Sequence, residues 1–493
     1  MSGPNRHSNP IRPPGKIRAS RRTVLNGGLA SLAGVALPSL RLFAQPDTQL
    51  LVNDITLINP VRVSRIAAPH TTEDVRDLVT GWPATISIGG GRYSMGGQIA
   101  AENSLHLDMR GMNRVVWLDP DHAMVRVQTG MRWRDLQALI DPHDLSVKIM
   151  QSYSNFTIGG ALAVNAHGRY VGVGPLINSV RRIQVVLPDG EVTEAAPTQN
   201  AQLFYGAIGG YGGLGIITEV ELDLVPNVKL ERRVRRIGVA QYPAFFNAEV
   251  LGRSDAIFHN ADLDPADPEE TTSITWFKTD KPVTIRQRLL PTNASYAREA
   301  FEVWALAELP GAHLLRRNLV DPLEHTDQTV VWRNHEASLD VASLGPIASE
   351  TRTYALQEYF VPVAKFQEFA LRMSRILRVN DVNALNVSVR QSPADPGSML
   401  AWAREEIFSF VLYYRQHTSL EARQQVGNWT RELIEASLAL GGTYYLPYQL
   451  HATGDQFLRA YPGAPRFFAL KARLDPGNRF TNKLWDKYYR AGT

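Results

Sequence analysis

Three stretches crowded with small residues limit what this chain can become: SIGGGRYSMGG at 87–97, TIGGALAVNAHG at 157–168 and GGYGGLGII at 209–217. A residue without a Cβ can take positive φ and turn its backbone N–H towards a common point, the geometry of an anion nest. Taken alone, the first stretch also reads as a glycine-rich hairpin at a sheet edge. Three such segments far apart in sequence imply instead an extended planar ligand that backbone approaches along its length. A Rossmann site would show GxGxxG between one strand and one helix, with an acidic residue about twenty positions on. SIGGGRYSMGG lacks that spacing, and Tyr93, Ser94 and Met95 begin no helical period. Nicotinamide dinucleotide binding is therefore not expected.

Around these stretches the pattern is α+β. Thr71 and Thr72 followed by Glu73 and Asp74, with Val75, Leu78 and Val79 apolar, predict a capped amphipathic helix. ATISI, HLDM, VVWLD and MVRVQTG alternate as short strands, and 133–140 reads as a helix. RIQVVL runs into Pro188-Asp189-Gly190, a hairpin signal. Beyond Pro226 the texture shifts to longer alternating strands (273–277, 408–414) and a helix with Phe366, Phe369, Met373, Ile376 and Leu377 on one face. The arginines of ERRVRR at 231–236 are expected on the solvated face of an edge strand. At 493 residues, 44% apolar, the chain suggests two or three packed units. The divisions fall at 1–44, 45–228, 229–440 and 441–493, the last returning to the ligand site.

Charge separates the head from the body. Residues 1–44 hold seven basic residues and no acid, so a formal +4 overall becomes −3 for the rest, and nucleic-acid binding is not expected. The head ends in SRRTVL and a soft apolar run, and resembles a twin-arginine export signal cut near Ala44. That route carries folded proteins, which suits a tightly held cofactor, and a periplasmic or otherwise exported location is expected. With no cysteine, disulfides, thiolate nucleophiles and iron–sulfur clusters are excluded, and the twelve histidines show no metal-ligand spacing.

In order along the chain come PHTTEDV, GGGRYSMGG, LDMRGMNRV, VQTGMRWRDL, TIGGALAVNAHG, VVLPDGEV, LGIITEVELDLVP and LDPGNRF. This order resembles the vanillyl-alcohol oxidase superfamily, with its PCMH-type FAD-binding domain, and most nearly its sugar, aldonolactone, alditol and decaprenylphosphoryl-ribose oxidoreductases. The resemblance implies such a domain followed by a cap with an antiparallel sheet flanked by helices. It implies that Gly89, Gly90, Gly91, Arg92, Tyr93, Ser94, Met95, Gly96 and Gly97 cradle the FAD pyrophosphate, with Ser87 also at the cofactor. Gln151, Ser152, Thr157, Ile158, Gly159, Gly160, Ala163, His167 and Gly168 would lie along the flavin, Gly215 and Ile217 at the adenine end, and Tyr445 on the flavin.

Departures from the family pattern matter as much. Many relatives carry a flavin-linking histidine where this chain has Arg92, so FAD is expected to be non-covalent, with Arg92 as a charge partner for the pyrophosphate. Arg390 is kept from a Glu-x-Arg pattern, but Ser388 replaces the glutamate and Tyr448 replaces a lysine. Oxidising an alcohol requires hydride transfer to the flavin and a base for the hydroxyl proton. Glu358, poised by burial, is the first candidate; His167 and a phenolate-tuned Tyr448 follow, and Arg390 would orient the substrate. The resemblance thus implies a hydroxyl-oxidising enzyme acting on a sugar, aldonolactone or polyol. Its acceptor would be a quinone or oxygen, a dehydrogenase being favoured because the long Gln151 would narrow oxygen's path. A 2-hydroxy acid gripped by Arg390 is one alternative, and a flavin-bearing binding or assembly protein without turnover another.

Overall fold

The computed structural model describes residues 50–265, 268–292, 329–344 and 351–489. The basic head, with its twin-arginine stretch, lies outside the described residues.

The architecture is α+β and, beside a two-stranded antiparallel pair of Leu50–Val52 with Val61–Val63, rests on three larger sheets. The smallest of these three is parallel: Arg65–Ala67 and Ile86–Gly89 both pair with Leu105–Asp108. The helix Thr72–Gly81 starts at a capping box in which Thr71 and Asp74 satisfy each other's backbone N–H groups. It buries Val75 and Val79 in the core beside Ile86, Leu105 and Leu107. A second sheet runs in the order Val192–Ala195, Val180–Val186, Ile216–Pro226, Met124–Gln128, Val115–Asp119, with Leu145–Val147 also on Ile216–Pro226. The hairpin expected at Pro188-Asp189-Gly190 forms, with Gly190 at φ +89°.

The largest sheet has eight strands, all antiparallel, in the order Val330–Trp332, Lys229–Gly238, Glu270–Lys278, Ala256–Leu263, Ala384–Ser392, Ile407–His417, Arg352–Pro362, Thr443–Tyr444. Lys229–Gly238 is not the outermost strand, because Val330–Trp332 pairs with its first three residues. Arg233, Arg235 and Arg236 are exposed as the sequence suggested. Phe366–Val379 covers the sheet with Phe366 and Phe369 packed on Phe410 at centroid distances of 5.2 and 4.9 Å.

The C-terminal segment ties the sheets together. Thr443–Tyr444 extends the large sheet, and the Ile86 N–H donates to the Arg479 carbonyl at 2.7 Å beside the small one. Lys471, fully buried, donates to Asp475 Oδ2 and to the carbonyls of Gly213 and Phe480 at 2.8–2.9 Å. All three protons of a buried ammonium are thereby satisfied, which its burial requires.

Candidate active site

A long cavity lies between the glycine-rich turns and one face of the large sheet. Its lining includes Gly90, Gly91, Arg92, Tyr93, Ser94 and Met95 from the first turn and Gln151, Ser152, Thr157, Gly159, Gly160, Ala163 and His167 from the second. Gly215 and Ile217 follow from the third, and Glu358, Arg390, Tyr445 and Tyr448 complete the opposite wall. The sheet register explains the last group. Glu358 pairs with Val411 and Leu356 with Tyr413, so alternate residues of Arg352–Pro362 and Ile407–His417 share the cavity face.

Six residues expected at the ligand do not line the cavity. Ser87 is buried behind the turn, bonded to Ser104 Oγ at 2.8 Å and His106 Nδ1 at 3.2 Å. Gly89 is glycine because a Cβ there would sit 2.7 Å from the His106 ring. At Gly96 the Tyr448 carbonyl fills that space, and at Gly168 the Met150 carbonyl does. Gly97 adopts φ +76° and donates its N–H to Asp54 Oδ2 at 3.0 Å. Ile158 points into the core. Several of the small residues thus admit protein backbone or side chain rather than ligand, a distinction that composition cannot make. Sequence reasoning also missed Gln98, Tyr153, Phe156, Tyr211, Leu356 and Tyr413, which line the cavity. Only their nearness to the glycine motifs or strand alternation could have signalled them.

The first turn is firmly held. Gly91 N–H donates to Thr157 Oγ1 at 3.1 Å, and Thr157 also caps the short helix Ile158–Ala163. Arg92 takes φ +63°, a strained setting for a residue with a Cβ, and its guanidinium meets Asp108 at 3.2 Å. Arg110 grips the same carboxylate at 2.5 and 2.8 Å. Two guanidiniums on one carboxylate leave net positive charge beside the turn. Burial lowers the Arg92 pKa, opposed by Asp108.

Opposite stands a buried cluster. His167 Nε2 is 2.7 Å from Glu358 Oε1, and the Tyr448 hydroxyl donates to Glu358 Oε2 at 3.3 Å. Trp402, Phe360 and Tyr445 surround the imidazole. Burial pushes the Glu358 pKa up, but His167, Arg390 and Ser409 outweigh it and the net shift is downward. The carboxylate poised upward by burial that the sequence suggested is therefore replaced by one held ionised. The phenolate reading of Tyr448 is also corrected: burial, then the Glu358 charge, raise its pKa well above the usual phenol. Tyr448 is a donor here. Among the described residues no group of three or more His, Cys, Asp or Glu could hold a metal ion.

A family model described as an FAD binding domain matches residues 63–196, the span that carries the first two turns. Over those residues the chain carries an FAD-binding domain. It is an FAD-dependent oxidoreductase. L-gulonolactone oxidase of Bos taurus is 23% identical over 85% of this chain and 94% of its own length. Decaprenylphosphoryl-beta-D-ribose oxidase of Mycolicibacterium smegmatis is 22% identical over 82% and 89%, and alditol oxidase of a Streptomyces species 30% identical over 32% and 38%. A solved cholesterol oxidase from Brevibacterium sterolicum, a histidine-to-alanine mutant, shares the fold, with TM-score 0.69 and 15% identity over 92% of this chain and all of that one.

The cavity suits FAD on its own terms. Arg92 Nε, Ser94 Oγ and Ser152 Oγ are buried at its wall without a hydrogen-bond partner among the described residues, as donors awaiting a polar ligand would be. Gly212, at φ +70°, lines the cavity with its backbone, and a Cβ there would press on Ile88.

Proposed function

We propose that the chain oxidises a hydroxyl of a sugar, aldonolactone or polyol. The observation that carries this reading is the Glu358–His167 pair, closed from solvent yet set in the cavity wall. FAD, when bound, supplies the hydride acceptor. Glu358, ionised and hydrogen-bonded by Tyr448, accepts the hydroxyl proton, and His167, 2.7 Å from its other oxygen, holds the carboxylate in place. Arg390, whose Nε is buried without a hydrogen-bond partner among the described residues, orients substrate oxygen atoms. Tyr153, Tyr354 and Tyr413 line the same cavity as Arg390, flat surfaces that suit the C–H face of a polyhydroxy compound. The names of the gulonolactone and alditol oxidase relatives agree with this class.

The same Arg390 supports a second reading, a 2-hydroxy acid whose carboxylate it holds in bidentate fashion. Anaerobic bleaching of the flavin by separate panels of aldoses, lactones, alditols and hydroxy acids, with product identification, decides between them. Bleaching by hydroxy acids alone overturns the first. We further propose non-covalent FAD, an acceptor such as a quinone in preference to oxygen, and export through the paired Arg21 and Arg22. Accumulation of the precursor in the cytoplasm when both are changed to lysine tests the last.

A further inference from the structure

Gln98 lies at the junction of the cofactor turn and the wall that carries Tyr448. It is 6% exposed, and each of its amide groups is engaged. Oε1 accepts from the Gly96 N–H at 2.9 Å, while Nε2 donates to the carbonyls of Leu446 at 2.6 Å and Tyr448 at 2.7 Å. One amide orientation alone satisfies two carbonyls on one side and an N–H on the other. Around it the two segments are zipped: Met95 N–H donates to the Pro447 carbonyl at 2.7 Å, and Gln449 Nε2 donates to the Met95 carbonyl. A Cβ at Gly96 would strike the Tyr448 carbonyl. At its other end the wall segment is anchored by Tyr445 N–H to the Glu358 carbonyl at 3.0 Å.

We propose that Gln98 is a positioning residue that couples the FAD-holding turn to Tyr448, and through the Tyr448 hydroxyl to Glu358. The proposal rests on the reading above, in which Glu358 receives the proton. The acceptor half of Gln98 shapes the turn and its donor half fixes Tyr448, so the two halves are separable by substitution. Gln98→Glu keeps an acceptor for Gly96 but, ionised, offers no donor to Leu446 or Tyr448. Gln98→Met removes both.

The test uses the protein carrying FAD. Hydrogen–deuterium exchange in Gln98→Glu is expected to speed up at 446–451 and stay unchanged at 90–94. FAD content should remain at the wild-type level, and Gln98→Met should lose FAD and exchange faster in both segments. With a substrate from the bleaching panel, the limiting rate of flavin reduction in Gln98→Glu should fall by roughly 3- to 10-fold, no further than deletion of the Tyr448 hydroxyl itself would take it. Substrate affinity should change little. The rate should recover partly as pH is lowered, because a neutral carboxyl can donate one hydrogen bond. Wild-type exchange at 446–451 in Gln98→Glu, or FAD loss equal to that of Gln98→Met, overturns the coupling. Failure of every panel member to bleach the wild-type flavin overturns the proposed function instead, and the exchange result still decides the role of Gln98.

Discussion

Nε2 of His167 stands 2.7 Å from Oε1 of Glu358, the two side chains 5% and 2% exposed, where two distant parts of the chain meet at one cavity. An ionised carboxylate survives such burial only with a cation or donors beside it. His167 and Tyr448 supply them, and Arg390 adds its field.

Changing Glu358 to Gln should slow flavin reduction by about 10²-fold or more, the usual scale for a positioned acid–base group, with flavin content unchanged. Because the Glu358 pKa is lowered, the wild-type rate should hold through the ordinary carboxylate range and fall only in stronger acid. His167→Gln removes the partner whose contact helps to lower this pKa, so the acid limb should move to higher pH. Stopped-flow reduction across pH reads both effects, and an unmoved limb in His167→Gln contradicts the pairing.

Tyr448→Phe should slow reduction by less than about 10-fold, since it deletes one hydrogen bond to a charged acceptor and no base. A loss as large as that of Glu358→Gln would restore Tyr448 as the proton acceptor.

Acid precipitation should release all the yellow chromophore as FAD, because Arg92 occupies the place of the linking histidine and the chain has no cysteine. Arg92→Leu should raise the FAD dissociation constant by roughly 10-fold or more, in keeping with loss of a charge-assisted contact. Flavin retained in the pellet would refute the non-covalent assignment.

Stability should fall on mild acidification. Burial pushes the His106 pKa down to about 4 and that of His259 down to about 3. The folded protein keeps both neutral while the unfolded chain protonates them below about pH 6.5, so stability is full above that value and lost towards pH 4. The slope is about 1.4 kcal/mol per pH unit for each residue. A thermal midpoint that stays level between pH 6.5 and 4.5 would refute this.

Trp133 Nε1 donates to Gln151 Oε1 at 2.8 Å, which fixes the long amide in the cavity wall. Gln151→Gly should speed aerobic reoxidation of the reduced flavin by opening space for oxygen. Equal rates in the two proteins, followed by absorbance in air-saturated buffer, would remove the gate.

Local signals in the chain determined the α+β class, the helices at 72–81 and 366–379, the hairpin at Gly190 and the presence of an FAD site. Periodicity, caps and glycine turns act between near neighbours and so are written in order along the sequence. Tertiary structure alone decided which glycines face the ligand and which admit His106 or the Tyr448 and Met150 carbonyls. It also decided that Glu358 is held ionised by a histidine 191 positions away rather than poised by burial. The pKa of a buried group depends on the charges and donors folded against it, and no local pattern encodes those.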